Sequence, residues 1–222
     1  PAPVLSAAPI TVHEPEAAPA RPYSSTFAII CLVLFLASAI ALAAIQDGDL
    51  PRIAAFLALL RHERPILFPD ITYSFYPVYC GLYGIDYRAV PLDEDFRLHP
   101  GDYAAPNGGI VFPNPNAPTG ILLPLEGIEA ILAANPDSVV VVDEAYVEYL
   151  DPQPDLRPLI HEGRKVICLR TFSKIFGLAA LRVGYGYASR ELCALLNRVR
   201  QPFNVNAIGQ SAAIAALDDG EF

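Results

Sequence analysis

The chain has 222 residues, enough for one large domain with an ample core. A formal charge of −9 and a pI near 4.8 exclude the basic stripe that a nucleic-acid backbone demands. Four cysteines without C-x-x-C spacing, and four histidines standing singly at 13, 62, 99 and 161, give neither a disulfide framework nor a metal-ligand cluster. The composition reads as a reduced, cytosolic-type protein.

In chain order, residues 1–25 are rich in alanine and proline with no apolar period, the composition of a flexible tail. From Thr26 to Ile45 no residue is charged, and a helix of that length would span roughly 30 Å, the hydrocarbon core of a bilayer. Three readings stand at this point. The segment is a membrane-spanning helix, with Arg52, Arg61 and Arg64 marking a cytoplasmic C-terminal side; or a helix buried in the domain; or part of a stretch foreign to it that takes in residues 1 to about 60.

From Pro65 the pattern becomes regular α/β. It predicts strands over Pro65–Pro69, Ile85–Leu92 and Gly108–Pro113, with a helix over Ser74–Tyr83 between the first two and a loop over Asn114–Gly120 after the third. Pro124–Ala134 reads as a helix with Leu125, Ile128, Ile131 and Leu132 on one face and Glu126 and Glu129 off it, stopped by Asn135-Pro136. Strands over Ser138–Val142, Lys165–Leu169 and Arg182–Tyr187 follow, then a helix from Arg190 to about Val199. Alternation of this kind builds a mostly parallel sheet with flanking helices. The reading places one α/β domain at 63–210, with 211–222 opening a further C-terminal region.

The chemistry converges on Lys174. The chain has two lysines, Lys165 and Lys174, against thirteen arginines, so a lysine here should serve where a guanidinium cannot. A primary amine condenses with an aldehyde and loses its charge when desolvated; arginine does neither. Thr171, Ser173 and Arg182 surround that amine with hydroxyls and a forked cation, a set suited to a phosphate dianion. The run Val139–Val142 ends in Asp143, which puts a carboxylate at the carboxyl edge of a buried strand, where ligands of open α/β sheets bind. Buried there, Asp143 needs a cationic partner. An aldehyde cofactor with a phosphate and a pyridine ring would use all of these groups.

Three ordered motifs, Asn114-Pro115-Asn116-Ala117-Pro118-Thr119-Gly120, Asp143-Glu144-Ala145-Tyr146 and Arg170 to Tyr185, resemble the pyridoxal-phosphate aminotransferases of fold type I, most closely the histidinol-phosphate aminotransferases. The resemblance runs from about Pro65 to about Leu217. It implies the large domain of the pyridoxal-phosphate-dependent transferases, the small domain being largely absent, and pyridoxal 5′-phosphate as cofactor. By the same resemblance Lys174 carries the cofactor aldehyde and then acts as base, Asp143 holds the ring nitrogen protonated, Tyr146 reaches the ring's phenolic oxygen, and Tyr73 stacks on the ring. Thr171, Ser173 and Arg182 hold the phosphate. The implied reaction takes L-histidinol phosphate and 2-oxoglutarate to imidazole acetol phosphate and L-glutamate, in a cytoplasmic homodimer.

Two departures qualify the match. Ala117 stands where the family commonly has an asparagine, so either Asn116 reaches across by one residue or Tyr146 and a water take its place. Asp47-Gly48-Asp49 is the nearest thing to the family's glycine-serine-acidic phosphate motif and lacks the serine, and the chain stops at Phe222. The expectation is a chain that binds cofactor more readily than it turns over substrate. The rivals are another fold type I aminotransferase or an amino-acid-phosphate decarboxylase, and a membrane-anchored, catalytically impaired binding fragment.

Overall fold

Apolar runs without alternation belong in strands covered on both faces. Four such runs, Ile66–Pro69, Ile110–Pro113, Val140–Asp143 and Val166–Thr171, form adjacent, almost wholly buried strands in the computed structural model, which describes residues 40–46, 50–60, 63–200 and 204–219. In chain order the strands are β1 (Ile40–Gln46), β2 (Ile66–Pro69), β3 (Tyr87–Val90), β4 (Ile110–Pro113), β5 (Val140–Asp143), β6 (Val166–Thr171) and β7 (Val183–Ser189). The helices are α1 (Leu50–Ala58), α2 (Phe75–Tyr83), α3 (Leu125–Ala134), α4 (Arg157–His161), α5 (Arg190–Val199) and α6 (Ala207–Asp218), with single 3₁₀ turns at Pro100–Tyr103, Val147–Tyr149 and Ala179–Leu181.

The strands lie in the order β1-β7-β6-β5-β4-β2-β3. β6, β5, β4, β2 and β3 are parallel, and β7 runs antiparallel between β6 and β1. The register aligns the carboxyl ends at one edge, Pro113 opposite Asp143 and Asp143 opposite Leu169. Because β1 is antiparallel to β7 it points the same way as β6, so the chain leaving Gln46 emerges at that same edge and starts α1 there.

Side chains alternate across the sheet and sort into two cores. Val111, Val141, Ile167 and Leu169 pack with Phe56 of α1, Leu60 just past it, Tyr76 and Cys80 of α2, and Leu192 and Leu196 of α5. On the other face Ile110, Phe112, Val140, Val142, Val166 and Cys168 pack with Tyr103, Leu159 and the α3 stripe Ile128, Ile131 and Leu132. Each buried member of that stripe contributes about 1.5–3 kcal/mol of transfer free energy. A third, smaller cluster of Phe172, Val183 and Ala213 seats the β6–β7 connection against α6.

Two helices start on side-chain caps that the sequence supplies. Ser189 accepts a hydrogen bond from the Leu192 amide at α5, and Asn206 accepts one from the Gly209 amide at α6, each satisfying an amide the first turn leaves open. Where the sequence predicts a strand over Ile85–Leu92, the structure shortens it to β3, an edge strand whose first three residues are exposed. The apolar stretch Thr26–Ile45 is not one continuous helix, because from Ile40 it is strand β1, hydrogen-bonded to β7. Residues 26–39, the tail before them and Asp47-Gly48-Asp49 lie outside the described residues. Among the described residues no helix is long and apolar enough to cross a membrane.

Candidate active site

A cleft of about 190 Å³ opens at the carboxyl edge of the sheet, lined by Arg52, Tyr73, Pro113, Ala117, Asp143, Ala145, Tyr146, Thr171, Ser173, Lys174 and Arg182. Seven of the eight residues singled out from the sequence meet there. Asp143 arrives at the end of β5 and Tyr73 in the turn before α2. Thr171, Ser173, Lys174 and Arg182 arrive on the connection from β6 to β7. Asn116 stays out. Its amide nitrogen donates to the Ile71 carbonyl at 2.9 Å and the Thr119 hydroxyl at 3.1 Å, so the neighbouring Ala117 faces the cleft and the one-residue reach expected of Asn116 does not occur.

The connection carrying Lys174 is tightly folded. The Phe172 amide donates to the Val183 carbonyl at 3.1 Å, the Leu178 amide to the Phe172 carbonyl at 3.0 Å and the Gly177 amide to the Lys174 carbonyl at 2.9 Å. Gly177 takes φ +64°, a conformation open to glycine at no steric cost. Arg182 takes φ +54° without being glycine, at a cost on the order of 1–3 kcal/mol, as residues held at ligand sites often do. The Lys174 Nζ stands 4.9 Å from the centre of the Tyr146 ring. Thr171 Oγ1 accepts from the Ser173 amide at 3.1 Å and donates to the Val183 carbonyl at 3.4 Å. Ser173 Oγ is buried with no hydrogen-bond partner, an unsatisfied group that an oxyanion between Lys174 and Arg182 would satisfy.

Asp143 has its cationic partner, and it comes from the chain itself. Its Oδ2 accepts from Arg52 Nε, with Arg52 Nη2 donating to Oδ1 at 2.8 Å, a two-pronged pair. The Tyr76 hydroxyl donates to Oδ2 at 3.1 Å and the Ala145 amide to Oδ1 at 3.3 Å. Burial, reinforced by the Asp143 charge, pushes the Tyr76 phenol well above its ordinary range, so it stays a neutral donor. The Arg52 guanidinium carbon also lies 5.0 Å from the centre of the Tyr73 ring. The sequence motifs assign neither Arg52 nor Tyr76 to the site. The available signal was Arg52 itself, a lone cation in the otherwise apolar run Leu50 to Leu60, where a buried charge requires a partner.

Behind Asp143, Glu144 turns to the opposite side of the sheet. Its fully buried carboxylate accepts from Arg170 Nε at 2.7 Å and from the Tyr187 hydroxyl at 2.7 Å. Arg170 also lies over the Tyr187 ring, 5.6 Å from its centre, and 3.6 Å from Glu148. This network fixes the backbone on which Asp143 and Tyr146 stand.

The family model of aminotransferases class I and II matches residues 44–222, starting upstream of the Pro65 at which the motif resemblance begins. The chain is 54% identical over 167 residues to histidinol-phosphate aminotransferase 2 of Thiobacillus denitrificans, covering 74% of this chain and 46% of that one. It is 52% identical over 168 residues to the Dechloromonas aromatica protein of the same name, covering 74% and 47%. Among solved structures it matches the histidinol-phosphate aminotransferase from Sinorhizobium meliloti in complex with pyridoxal-5′-phosphate, with a TM-score of 0.76 at 28% identity, covering 86% of this chain and 53% of that one. The chain spans about half the length of the curated relatives it matches. A match over this much of the chain, on the fold and cleft just described, shows that it belongs to the aminotransferase class I and II family.

Proposed function

We propose that the cleft binds pyridoxal 5′-phosphate and that the chain carries the cofactor-binding part of a histidinol-phosphate aminotransferase, passing the amino group of L-histidinol phosphate to 2-oxoglutarate. The observation that carries this is the convergence of Lys174, Asp143 and the Ser173–Arg182 anion seat on one cleft, in a chain half identical to proteins of that name. The residues present fit the group. Ser173 Oγ, Thr171 and Arg182 would hold the phosphate, Lys174 would take the aldehyde, Tyr73 would cover the ring and Asp143 would face its nitrogen. Bound there, the cofactor supplies an electrophilic carbonyl and an electron-withdrawing ring.

The chain's own groups do the rest. With the cofactor bound, the Lys174 amine would be placed to take the proton from substrate Cα; a positioned base of this kind contributes typically 10²–10⁴-fold. The Asp143 carboxylate would hold a proton on the ring nitrogen, the form in which that ring withdraws electrons. The Tyr146 ring beside Lys174 confines the amine, and by the family resemblance its hydroxyl serves the ring's phenolic oxygen. Homodimeric assembly follows from the same resemblance and a cytoplasmic setting from the cysteine usage; both belong to this proposal.

Borohydride reduction of the cofactor-loaded chain, followed by peptide mapping, should place the label on Lys174, and Lys174→Ala should carry none. Label on Lys165 would overturn the site. Amino transfer from histidinol phosphate to 2-oxoglutarate should be measurable and should fall at least a hundredfold in Asp143→Asn with cofactor still bound. Carbon dioxide release from a phosphorylated amino acid without amino transfer would replace the reaction with the decarboxylase.

A further inference from the structure

Asp143 and Tyr73 offer the cleft one buried negative charge and one aromatic face, and a single side chain of the protein already occupies both. The Arg52 guanidinium is planar, cationic and hydrogen-bonded through two nitrogens to Asp143, and it lies 5.0 Å over Tyr73. A protonated pyridine ring is also planar and cationic, with a nitrogen that donates to a carboxylate and a face that stacks. The side chain of Arg52 is 11% exposed and that of Asp143 2%, so the pair is a desolvated contact and not a surface bridge. The cleft beside it measures about 190 Å³, below the roughly 300 Å³ at which small-molecule pockets begin.

We propose that Arg52 is a built-in competitor for the cofactor's ring seat, a latch that must leave Asp143 and Tyr73 before pyridoxal phosphate can take them. This deepens the functional reading above and rests on it. The latch has a physical reason to exist in the buried charge of Asp143. Without a cation, Asp143 would stand buried with only the Tyr76 hydroxyl and the Ala145 amide to stabilise it. It also has a route in, because α1 begins at the carboxyl edge of the sheet and Arg52 sits in its first turn. Apparent affinity falls by the fraction of molecules whose site is open, so a latch closed in most molecules weakens cofactor binding by the same factor.

The test is the dissociation constant of pyridoxal phosphate for the full chain, read from cofactor absorbance, in the parent, Arg52→Met and Arg52→Lys. Borohydride mapping to Lys174 accompanies each titration. Arg52→Met keeps the length and removes the charge, and is expected to bind cofactor about ten- to hundredfold more tightly. Arg52→Lys keeps the charge without the flat fork and is expected to fall between. In urea, Arg52→Met without cofactor should unfold at a lower concentration than the parent, and the gap should close at saturating cofactor, when the ring supplies the missing cation. A bridge that merely held the fold together would predict weaker or equal binding in both variants. If the parent takes cofactor at Lys174 and both variants bind no more tightly, the latch is wrong and the functional reading stands. If no titration labels Lys174, the functional reading falls and the latch with it.

Discussion

Arg170→Met would measure how firmly the backbone behind the cleft is held. In the parent, Glu144 is wholly buried and its carboxylate accepts from Arg170 and Tyr187, both at 2.7 Å. Burial pushes the Glu144 carboxyl up, and the Arg170 charge is the chief opposing influence. Methionine retains the apolar stem over the Tyr187 ring but leaves the carboxylate with one hydroxyl. Breaking a buried pair by removing one partner costs about 3–5 kcal/mol, and the lower end applies here because the Arg170 side chain is 18% exposed and was partly solvated. The pH dependence has a definite sign. A carboxyl raised above its unfolded value of 4.5 contributes stability that is whole below that value and is lost as pH rises through the folded one. The substitution raises the folded value further, so the deficit should be small near pH 4.5 and widen towards neutrality. Urea denaturation followed by circular dichroism between about pH 5 and pH 8 would read it, and Glu144→Gln in the same chain should recover most of the loss. A deficit under about 1 kcal/mol at neutral pH, or one equal at both ends of the range, would show that packing and not charge holds this corner.

Gly109→Ala should destabilise the chain by about 1–3 kcal/mol, because φ is +139° there and a methyl would overlap the Leu60 side chain and approach the Val139 carbonyl to 3.3 Å; an unmoved urea midpoint would refute it. Asn114→Ala removes two side-chain bonds to Leu123, 2.8 Å from its amide and 3.0 Å to its carbonyl, and should cost about 2 kcal/mol. Faster hydrogen exchange at the Leu123 amide is the local sign, and unchanged exchange would argue against it. Burial pushes the Cys80 thiol up to about 12 and raises Cys168 and Cys193 as well, so all three should resist iodoacetamide in the native chain near pH 8 and react in urea. Native labelling as fast as in urea would show that the sheet opens far more often than its packing suggests.

What could be read in advance was whatever has a local cause. The runs ending at Pro113, Asp143 and Thr171 carry their burial in their composition, and the α3 stripe carries its period, so these elements appear where expected. β1 was misread because an apolar run without alternation suits a strand and a helix alike, and its length then favoured the wrong one. α6 is rich in alanine, with little contrast between its faces, and its sequence gives no clear helical signal. The site divided in the same way. Lys174, Asp143 and Arg182 announce themselves by residue type and position, whereas the Arg52–Asp143 pair joins residues 91 apart and depends on β1 running with β6, which no window of sequence contains. Ala117 facing the cleft in place of Asn116 turns on hydrogen bonds to Ile71 and Thr119, settled only once the loop is folded.

The antiparallel return from β6 to β7 has a mechanical consequence. Lys174 and Arg182 hang from one clasp, closed by the Phe172–Val183 bond and braced from within by the bonds of Gly177 and Leu178. Asp143 hangs from a different strand, joined to the clasp by the parallel ladder between β5 and β6. Shear between those two strands would therefore carry the amine and the guanidinium together and change only their separation from the carboxylate. The span from Asp143 to the Lys174–Arg182 clasp is thus a coordinate the sheet can tune, while the span between Lys174 and Arg182 stays fixed.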